Sequence, residues 1–182
     1  MAQSERYDAI VIGDGQAGGP LSTALAGDGR TVAVIEREHA GGTCINVGCT
    51  PTKTMVASAR TTYLARRSAD YGVHTAPVWV DMVRVRQRKR DIVESFRRGS
   101  EQRVESAAGV DLLMGTARFT GPRSVEARLK SGELRQLSAD IIFINTGDRP
   151  AIPPLPGLDT VPFLDSTTIM ELDAVPEHLL IL

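Results

Sequence analysis

Two thiols and an amine cluster in Gly41-Gly42-Thr43-Cys44-Ile45-Asn46-Val47-Gly48-Cys49-Thr50-Pro51-Thr52-Lys53, which holds both cysteines of the 182-residue chain. A permanent disulfide stabilises most when it closes a long loop, and a Cys44–Cys49 bond would close a short one. The pattern points instead to thiol chemistry, either redox exchange or capture of a soft metal ion. Residues five apart on a regular helix lie about 7.5 Å apart along its axis, beyond the roughly 7 Å Cα separation that a disulfide bridges. If the two cysteines pair, Cys44 is therefore expected in non-helical backbone. Gly48, able to take positive φ, and Thr50-Pro51, an N-cap followed by a first-turn proline, place the start of a helix near Cys49. A helix N-terminus favours a thiolate through its dipole. Lys53 follows one turn later on the same face.

The elements before this stretch supply a second kind of chemistry. Tyr7–Ile12 reads as a short buried parallel strand ending at Gly13. Gly13-Asp14-Gly15-Gln16-Ala17-Gly18 fits G-x-G-x-x-G, Leu21–Ala26 reads as a helix stopped by Gly27-Asp28-Gly29, and Thr31–Ile35 as a second strand. Glu36 ends that strand, about 20 residues beyond the glycines. Strand, glycines, helix, strand and acid in that order form a dinucleotide fingerprint, with a pyrophosphate on the helix N-terminus and a carboxylate for the ribose hydroxyls. Asp14 is out of character, because it sets a negative charge beside the expected pyrophosphate. If its side chain faces the ligand, Asp14→Ala should tighten binding; if it points away, the cost is small.

Beyond the cysteines, Thr54–Ala69 reads as a helix, Tyr71–Pro77 as a loop, and Asp81–Ala107 as one long helix with Asp81 as N-cap and Gly109 past its end. Arginines crowd that helix, yet Asp91, Glu94, Glu101 and Glu105 interleave with them, which fits a solvated or subunit-facing surface better than a nucleic-acid site. Val110–Met114 reads as a strand, Ser124–Leu129 and Glu133–Leu137 as a hairpin turning at Lys130-Ser131-Gly132, and Ala139–Asn145 as another buried strand before Thr146-Gly147. Four prolines between Pro150 and Gly157 mark a linker. Pro176–Leu182 opens an apolar strand and stops there, so the chain reads as truncated.

The chain is 42% hydrophobic and 24% charged with a formal charge of −1, which argues against general nucleic-acid attraction and against disorder. No apolar run approaches the ~20 residues of a membrane span, and Met1–Arg6 lacks the apolar run of a signal peptide. A cytoplasmic, reducing compartment is expected, where a close cysteine pair is more often catalytic or metal-binding than structural.

The wording Gly42-Thr43-Cys44-Ile45-Asn46-Val47-Gly48-Cys49-x-Pro51-x-Lys53, after the glycine fingerprint and before Ile144-Asn145-Thr146-Gly147-x-Arg149-Pro150, resembles the FAD- and NAD(P)-dependent pyridine nucleotide-disulfide oxidoreductases. Within them it is most similar to the mercuric reductase and dihydrolipoamide dehydrogenase branch. The resemblance implies an α/β, Rossmann-like FAD-binding domain with a central parallel sheet and a small antiparallel β insertion. That domain would occupy residues 1–150, incomplete, with 151–182 as a linker and the first strand of a truncated NAD(P)-binding domain.

By the same resemblance, Gly13, Gly15, Gln16, Ala17 and Gly18 pack the pyrophosphate of FAD, Glu36 and Arg37 lie at the adenosine ribose, and Gly42 and Thr43 touch the phosphate side. Thr116 and Ala117 present backbone to the adenine, and Thr146 and Gly147 line the cofactor. Cys49, beside Gly48, is the thiol against the flavin, Cys44 the outer thiol that meets substrate, and Lys53 sits near the flavin and stabilises negative charge on it. NAD(P)H would deliver electrons to FAD, FAD to a Cys44–Cys49 disulfide, and Cys44 to a small-molecule disulfide or metal-ion substrate. A homodimer is implied for the full-length form, with no nucleic-acid or membrane partner. No resident metal is expected. His39, His74 and His178 fall outside the family's acid-base motif. The alternatives are a non-catalytic FAD-binding fragment and a module that holds a soft metal ion on its thiols.

Overall fold

The computed structural model describes residues 4–182; Met1–Gln3, the start of the stretch read as lacking a signal peptide's apolar run, lie outside them. The described residues form two compact units. One comprises the chain up to Asn46 together with Ser95–Asp148, the other Val47–Glu94 together with Arg149–Leu182.

The first unit is built on β1 (Glu5–Ile12), α1 (Gly18–Gly27), β2 (Val32–Glu36), α2 (Gly42–Asn46), β3 (Val110–Gly121), β4 (Ser124–Leu129) and β5 (Leu134–Ile144). β1 pairs in parallel with β2 and β5, and β2 in parallel with β3. β4 runs antiparallel to both β3 and β5, which closes the sheet on itself in the order β1-β2-β3-β4-β5. The parallel core with an antiparallel insertion is the α/β architecture expected.

Strand alternation explains the two cores. On β2, Ala33 and Ile35 turn inward to join Ile10, Leu113, Val125, Ala127 and Leu137 inside the closed sheet. Val32 and Val34 turn outward to join Ala9, Val11, Val104 and Val110, covered by Leu21, Leu25 and Ala26 of α1. Covered on both faces, β2 is apolar along its run, as a central parallel strand must be.

Two strands run well past the ends expected of them, and the helix expected over Thr54–Ala69 runs from Cys49 to Arg66. The strand expected to end at Met114 continues as β3 to Gly121, and the hairpin strand expected to end at Leu137 continues through Ser138 into β5 as far as Ile144. Each long strand serves two neighbours. Val110–Met114 pairs with β2 and Gly115–Gly121 with β4; on β5, Leu134–Ser138 pairs with β4 and Leu137–Ile144 with β1. The change of partner, with no break in the backbone, is what makes each look like two strands. The hairpin turn at Lys130-Ser131-Gly132 is as expected, closed by the Leu129 N–H to Glu133 carbonyl bond of 2.9 Å.

The second unit contains α3 (Cys49–Arg66), a 3-10 turn over Ser68–Tyr71, the amino-terminal part of α4 (Met82–Glu105) and 3-10 turns at Leu158–Thr160 and Thr168–Glu171. Asp81 caps α4 as expected, its Oδ1 accepting from the Arg84 N–H at 2.9 Å. Residues 176–182, read as an apolar strand, form none. Among the described residues no helix is long and apolar enough to cross a membrane.

Candidate functional site

The glycine turn after β1 is shaped by backbone contact. A Cβ on Gly18 would lie 2.0 Å from the Gly13 carbonyl oxygen, so no larger residue can begin α1 this close to β1. The end of β5 locks the same turn: the Asn145 N–H donates to the Ile12 carbonyl at 2.8 Å and its side-chain amide to the Gly13 carbonyl at 3.0 Å. Thr146 and Gly147 follow directly and are exposed. α1 has no side-chain cap and no acid in its first turn, and its first intrahelical bond runs from the Gly19 N–H to Gly15. An uncapped helix start behind a glycine turn suits an anion.

Glu36 stands at the end of β2, beside this turn. Its Oε2 accepts the Asp14 N–H at 2.9 Å, and its Oε1 the N–H groups of Glu38 at 2.7 Å and His39 at 3.2 Å. A carboxylate offers about four acceptor directions, so three are committed to holding the side chain and about one remains for a hydroxyl. Thr116 and Ala117 lie just past Met114, the β3 partner of Glu36. Arg37, the residue after Glu36, is exposed and pairs with Glu38 at 3.0 Å.

The turn leading to Cys44 packs onto this same loop. Gly42 has φ 60°, and a Cβ there would lie 2.7 Å from the Gly15 Cα. The Gly41 N–H donates to the Asp14 carbonyl at 2.8 Å, and the Gln16 side-chain amide to the Gly41 carbonyl at 3.2 Å. The glycines therefore do two jobs: Gly13 and Gly18 let β1, α1 and the end of β5 meet closely, and Gly42 lets the thiol-bearing turn touch that loop.

Cys44 itself lies within α2, a single helical turn, and is half-buried. This corrects the expectation of non-helical backbone there. The spacing rule applies to one continuous helix, and here the helix ends at Asn46 and a new one starts at Cys49. Asn46 closes the turn, its amide donating to the carbonyls of Ala40 and Gly42, both at 2.9 Å. Thr43, beside Cys44, is exposed.

Cys49 is exposed and is the first residue of α3, as expected of a thiol at a helix start. Two details differ. Gly48 is the residue before the helix, with φ −126°, so positive φ is not what it supplies, and Thr50 lies inside the helix rather than capping it. Pro51 occupies the third helical position, where an N–H would have no intrahelical acceptor, and the first bond is Thr52 N–H to Gly48 carbonyl at 3.1 Å. Lys53 is exposed one turn after Cys49.

Asp14 is only 1% exposed. Its carboxylate is turned under the loop against Gly19, with Oδ2 3.4 Å from the Gly41 N–H, rather than outward along the glycines. Burial pushes its carboxyl up to about 6, aided by Glu36, against the opposing pull of the Gly41 N–H and of Arg103. Asn145 and Asn46 hold the two turns in place and are not among the site residues expected from the sequence. Both stand inside the recognised motifs, and a strand-end or helix-end Asn is the only local signal for either. Among the described residues, no group of three or more His, Cys, Asp and Glu is placed to hold a metal ion.

A glycine turn at an uncapped helix start, an acid at the end of the neighbouring parallel strand, and a thiol-bearing turn packed on that loop define a dinucleotide-binding domain equipped for thiol chemistry. The chain belongs to the pyridine nucleotide-disulphide oxidoreductases, whose family model matches residues 7–182. It is 37% identical over 180 residues to the probable pyridine nucleotide-disulfide oxidoreductase RclA of Escherichia coli, covering 97% of this chain and 37% of that protein. It is 34% identical to the mercuric reductase of Bacillus cereus, covering 97% of this chain and 27% of the relative. The solved structure of the HOCl-induced flavoprotein disulfide reductase RclA from E. coli superposes with a TM-score of 0.77 at 34% identity, over 93% of this chain and 35% of that one. A Cu(II) complex of the same reductase gives 0.78. The chain thus spans about a third of the length of these relatives.

Proposed function

We propose that the intact protein is a flavin-dependent disulfide oxidoreductase, and that this chain supplies its FAD-binding region and its redox thiols. The observation that carries the proposal is the backbone packing of the Gly41-Gly42 turn, which leads into Cys44, against the dinucleotide loop at Gly15. Family membership and the length of the cysteine motif support it. In this reading residues 1–150 belong to the FAD domain, and 151–182 lead into an NAD(P)-binding domain.

FAD, when bound, accepts a hydride from NAD(P)H and passes two electrons to a disulfide. The α1 start, with Gly15, Gln16, Ala17 and Gly18, receives the pyrophosphate, and Glu36 keeps one acceptor direction for the ribose. Cys49 and Lys53 share one face of α3, so the ammonium stands one turn from the thiol and steadies negative charge there. One NAD(P)H and one proton reduce the Cys44–Cys49 disulfide to two thiols. The Cys44 thiolate then attacks a substrate disulfide and expels one of its sulfurs; Cys49 attacks the mixed disulfide, releases the second sulfur and re-forms the Cys44–Cys49 bond. Relatives named mercuric reductase, and the Cu(II) complex of the E. coli reductase, keep metal ions beside disulfides as the substrate class.

The test is the absorption spectrum of the intact protein. A bound flavin spectrum that gains a long-wavelength band on two-electron reduction, lost in Cys49→Ser, is expected. A flavin-free protein, or a reduced spectrum unchanged by Cys49→Ser, overturns the proposal.

A further inference from the structure

The glycine loop after β1 contains an acid that the mechanism proposed above does not use. Asp14 stands between Gly13 and Gly15, and its side chain is buried at the start of α1, where a Cβ added to Gly19 would lie 2.6 Å from its Oδ1. Among the described residues, the hydrogen bond drawn to that carboxylate is the long one from Gly41, whose N–H is shared with the Asp14 carbonyl at 2.8 Å. The carboxylate is turned away from the ligand side, yet its burial beneath the loop leaves protein rather than water between it and a pyrophosphate at the α1 start, so the small cost expected of a side chain pointing away does not hold.

We propose that Asp14 makes dinucleotide binding proton-linked, so that the pyrophosphate of FAD binds together with a proton taken up by the Asp14 carboxyl. This rests on the flavoprotein reading above. The loop excludes water from Asp14, so its charge and that of the pyrophosphate are screened mainly by protein. Neutralising one of the two removes the conflict, and Asp14 is the one that can accept a proton near neutrality, its carboxyl already lying at about 6.

The charged groups around it do not cancel this effect. Glu36, at the end of β2, adds negative charge, as does Glu101 on α4, while Arg103 on α4 opposes them. α1 contributes no acid or base in its first or last turn. A bound anion therefore raises the Asp14 pKa further, and by reciprocity protonation tightens the anion. Affinity is then highest below about 6 and falls as pH rises through the higher pKa of the bound state, by about tenfold for each unit of that increase. His39, in the same unit, is a further titratable group, held below the usual histidine range by burial and by Arg97 and Lys130. Comparison with Asp14→Asn cancels its contribution, because both proteins keep it.

The experiment uses the intact protein stripped of flavin, with FAD titrated by fluorescence quenching between pH 5 and 8. The wild type is expected to weaken about tenfold or more across the range, and Asp14→Asn, which keeps an oxygen for the Gly41 N–H, to bind at pH 8 about as tightly as the wild type at pH 5. Calorimetry of the wild type near pH 7, in buffers of different ionisation enthalpy, should register proton uptake with FAD and needs no variant to fold. A flat wild-type profile with no proton uptake, or the same slope in Asp14→Asn, overturns the role of Asp14 while leaving the flavoprotein reading intact. Absence of FAD binding at every pH overturns both.

Discussion

Arg97 on α4 donates its Nε proton to the Oδ1 of Asn46 across 2.7 Å, so the turn that carries Cys44 is tied to a long helix through one amide. The other end of that amide holds the Ala40 and Gly42 carbonyls. Asn46→Ala removes all three bonds and leaves two half-buried acceptors to be met by water, a cost of about 1–3 kcal/mol. The loss is local, so it appears as opening of the turn before it appears as global unfolding. In a Cys49→Ser background, where Cys44 is the sole thiol, Asn46→Ala is expected to raise the rate of iodoacetamide labelling several-fold. An unchanged rate would show that the amide does not hold the turn.

Gly18 and Gly27, at opposite ends of α1, are expected to respond to alanine in opposite ways. At Gly18 the new Cβ meets the Gly13 carbonyl oxygen at 2.0 Å, and the obstruction is backbone that cannot swing aside. At Gly27 nothing lies within 4 Å, and its φ is not positive. Gly18→Ala should therefore cost several kcal/mol and destroy flavin retention, the signature of an overpacked site. Gly27→Ala should gain about 0.5–1 kcal/mol, because alanine loses less backbone freedom on folding. Thermal melting of the two variants separates the outcomes, and equal melting temperatures would contradict the close packing of the dinucleotide turn.

Tyr7 gives a pH dependence that does not involve the site. Its hydroxyl donates to Asp111 Oδ2 at 2.6 Å and accepts from Arg135 Nη2 at 3.1 Å, while Arg135 also grips the carboxylate of Glu5. Burial, with Asp111 next, pushes the phenol up from 10 to about 12. A folded pKa above the unfolded one means that the contribution is complete below pH 10 and is lost as pH rises from 10 towards 12. Tyr7→Phe should cost about 1–3 kcal/mol at pH 8, since Asp111 loses its donor, and the deficit should shrink above pH 10. An absorbance titration at 295 nm should lose its component near pH 12 in the variant, and retention of that component would reassign it.

Periodicity and turn chemistry made most of the first unit legible in the sequence. Val32–Ile35 is apolar because both sheet faces are covered, and Gly13, Gly15 and Gly18 stand where a backbone must approach closely. What stayed hidden depended on contacts far apart in the chain. Nothing near Leu137 or Ala139 says that one strand serves β4 and then β1. The reach of Asn145 to Gly13, 132 positions away, has no local period. Asp14 was visible as an oddity, but the direction of its side chain depends on Gly19 lacking a Cβ and on the Gly41 N–H. At Cys44 the spacing of one continuous helix does not hold, because the helix breaks at Val47-Gly48.

Lys89 and Glu171 should show how unequal the two members of a buried ion pair are. The Lys89 side chain is 4% exposed and its Nζ meets Glu171 Oε1, while Glu171 is 46% exposed and also binds Arg90 through Oε2 at 2.6 Å. Arg86 adds a bond from Nη1 to the Glu171 carbonyl at 2.8 Å, so the 3-10 turn Thr168–Glu171 is pinned to α4 by three bases. Glu171→Ala strands an ammonium with almost no access to water, at a cost of about 3–5 kcal/mol. Lys89→Met removes the buried charge along with its partner's need for it, and leaves Glu171 paired with Arg90 and wetted, so it should cost clearly less. Burial pushes the Glu171 carboxyl up, but hydrogen bonds from Lys89 and Arg90 outweigh it and hold the group below the usual glutamate range. A depressed folded pKa means that the contribution is present above the unfolded value of 4.5 and is lost as pH falls through the folded one. Chemical denaturation at pH 7 and again near pH 3 tests both points. The gap between wild type and Glu171→Ala should be wide at pH 7 and narrow in acid, with Lys89→Met above Glu171→Ala at pH 7. If Lys89→Met is the more damaging of the two, the aliphatic packing of Lys89 rather than its charge is what holds the turn.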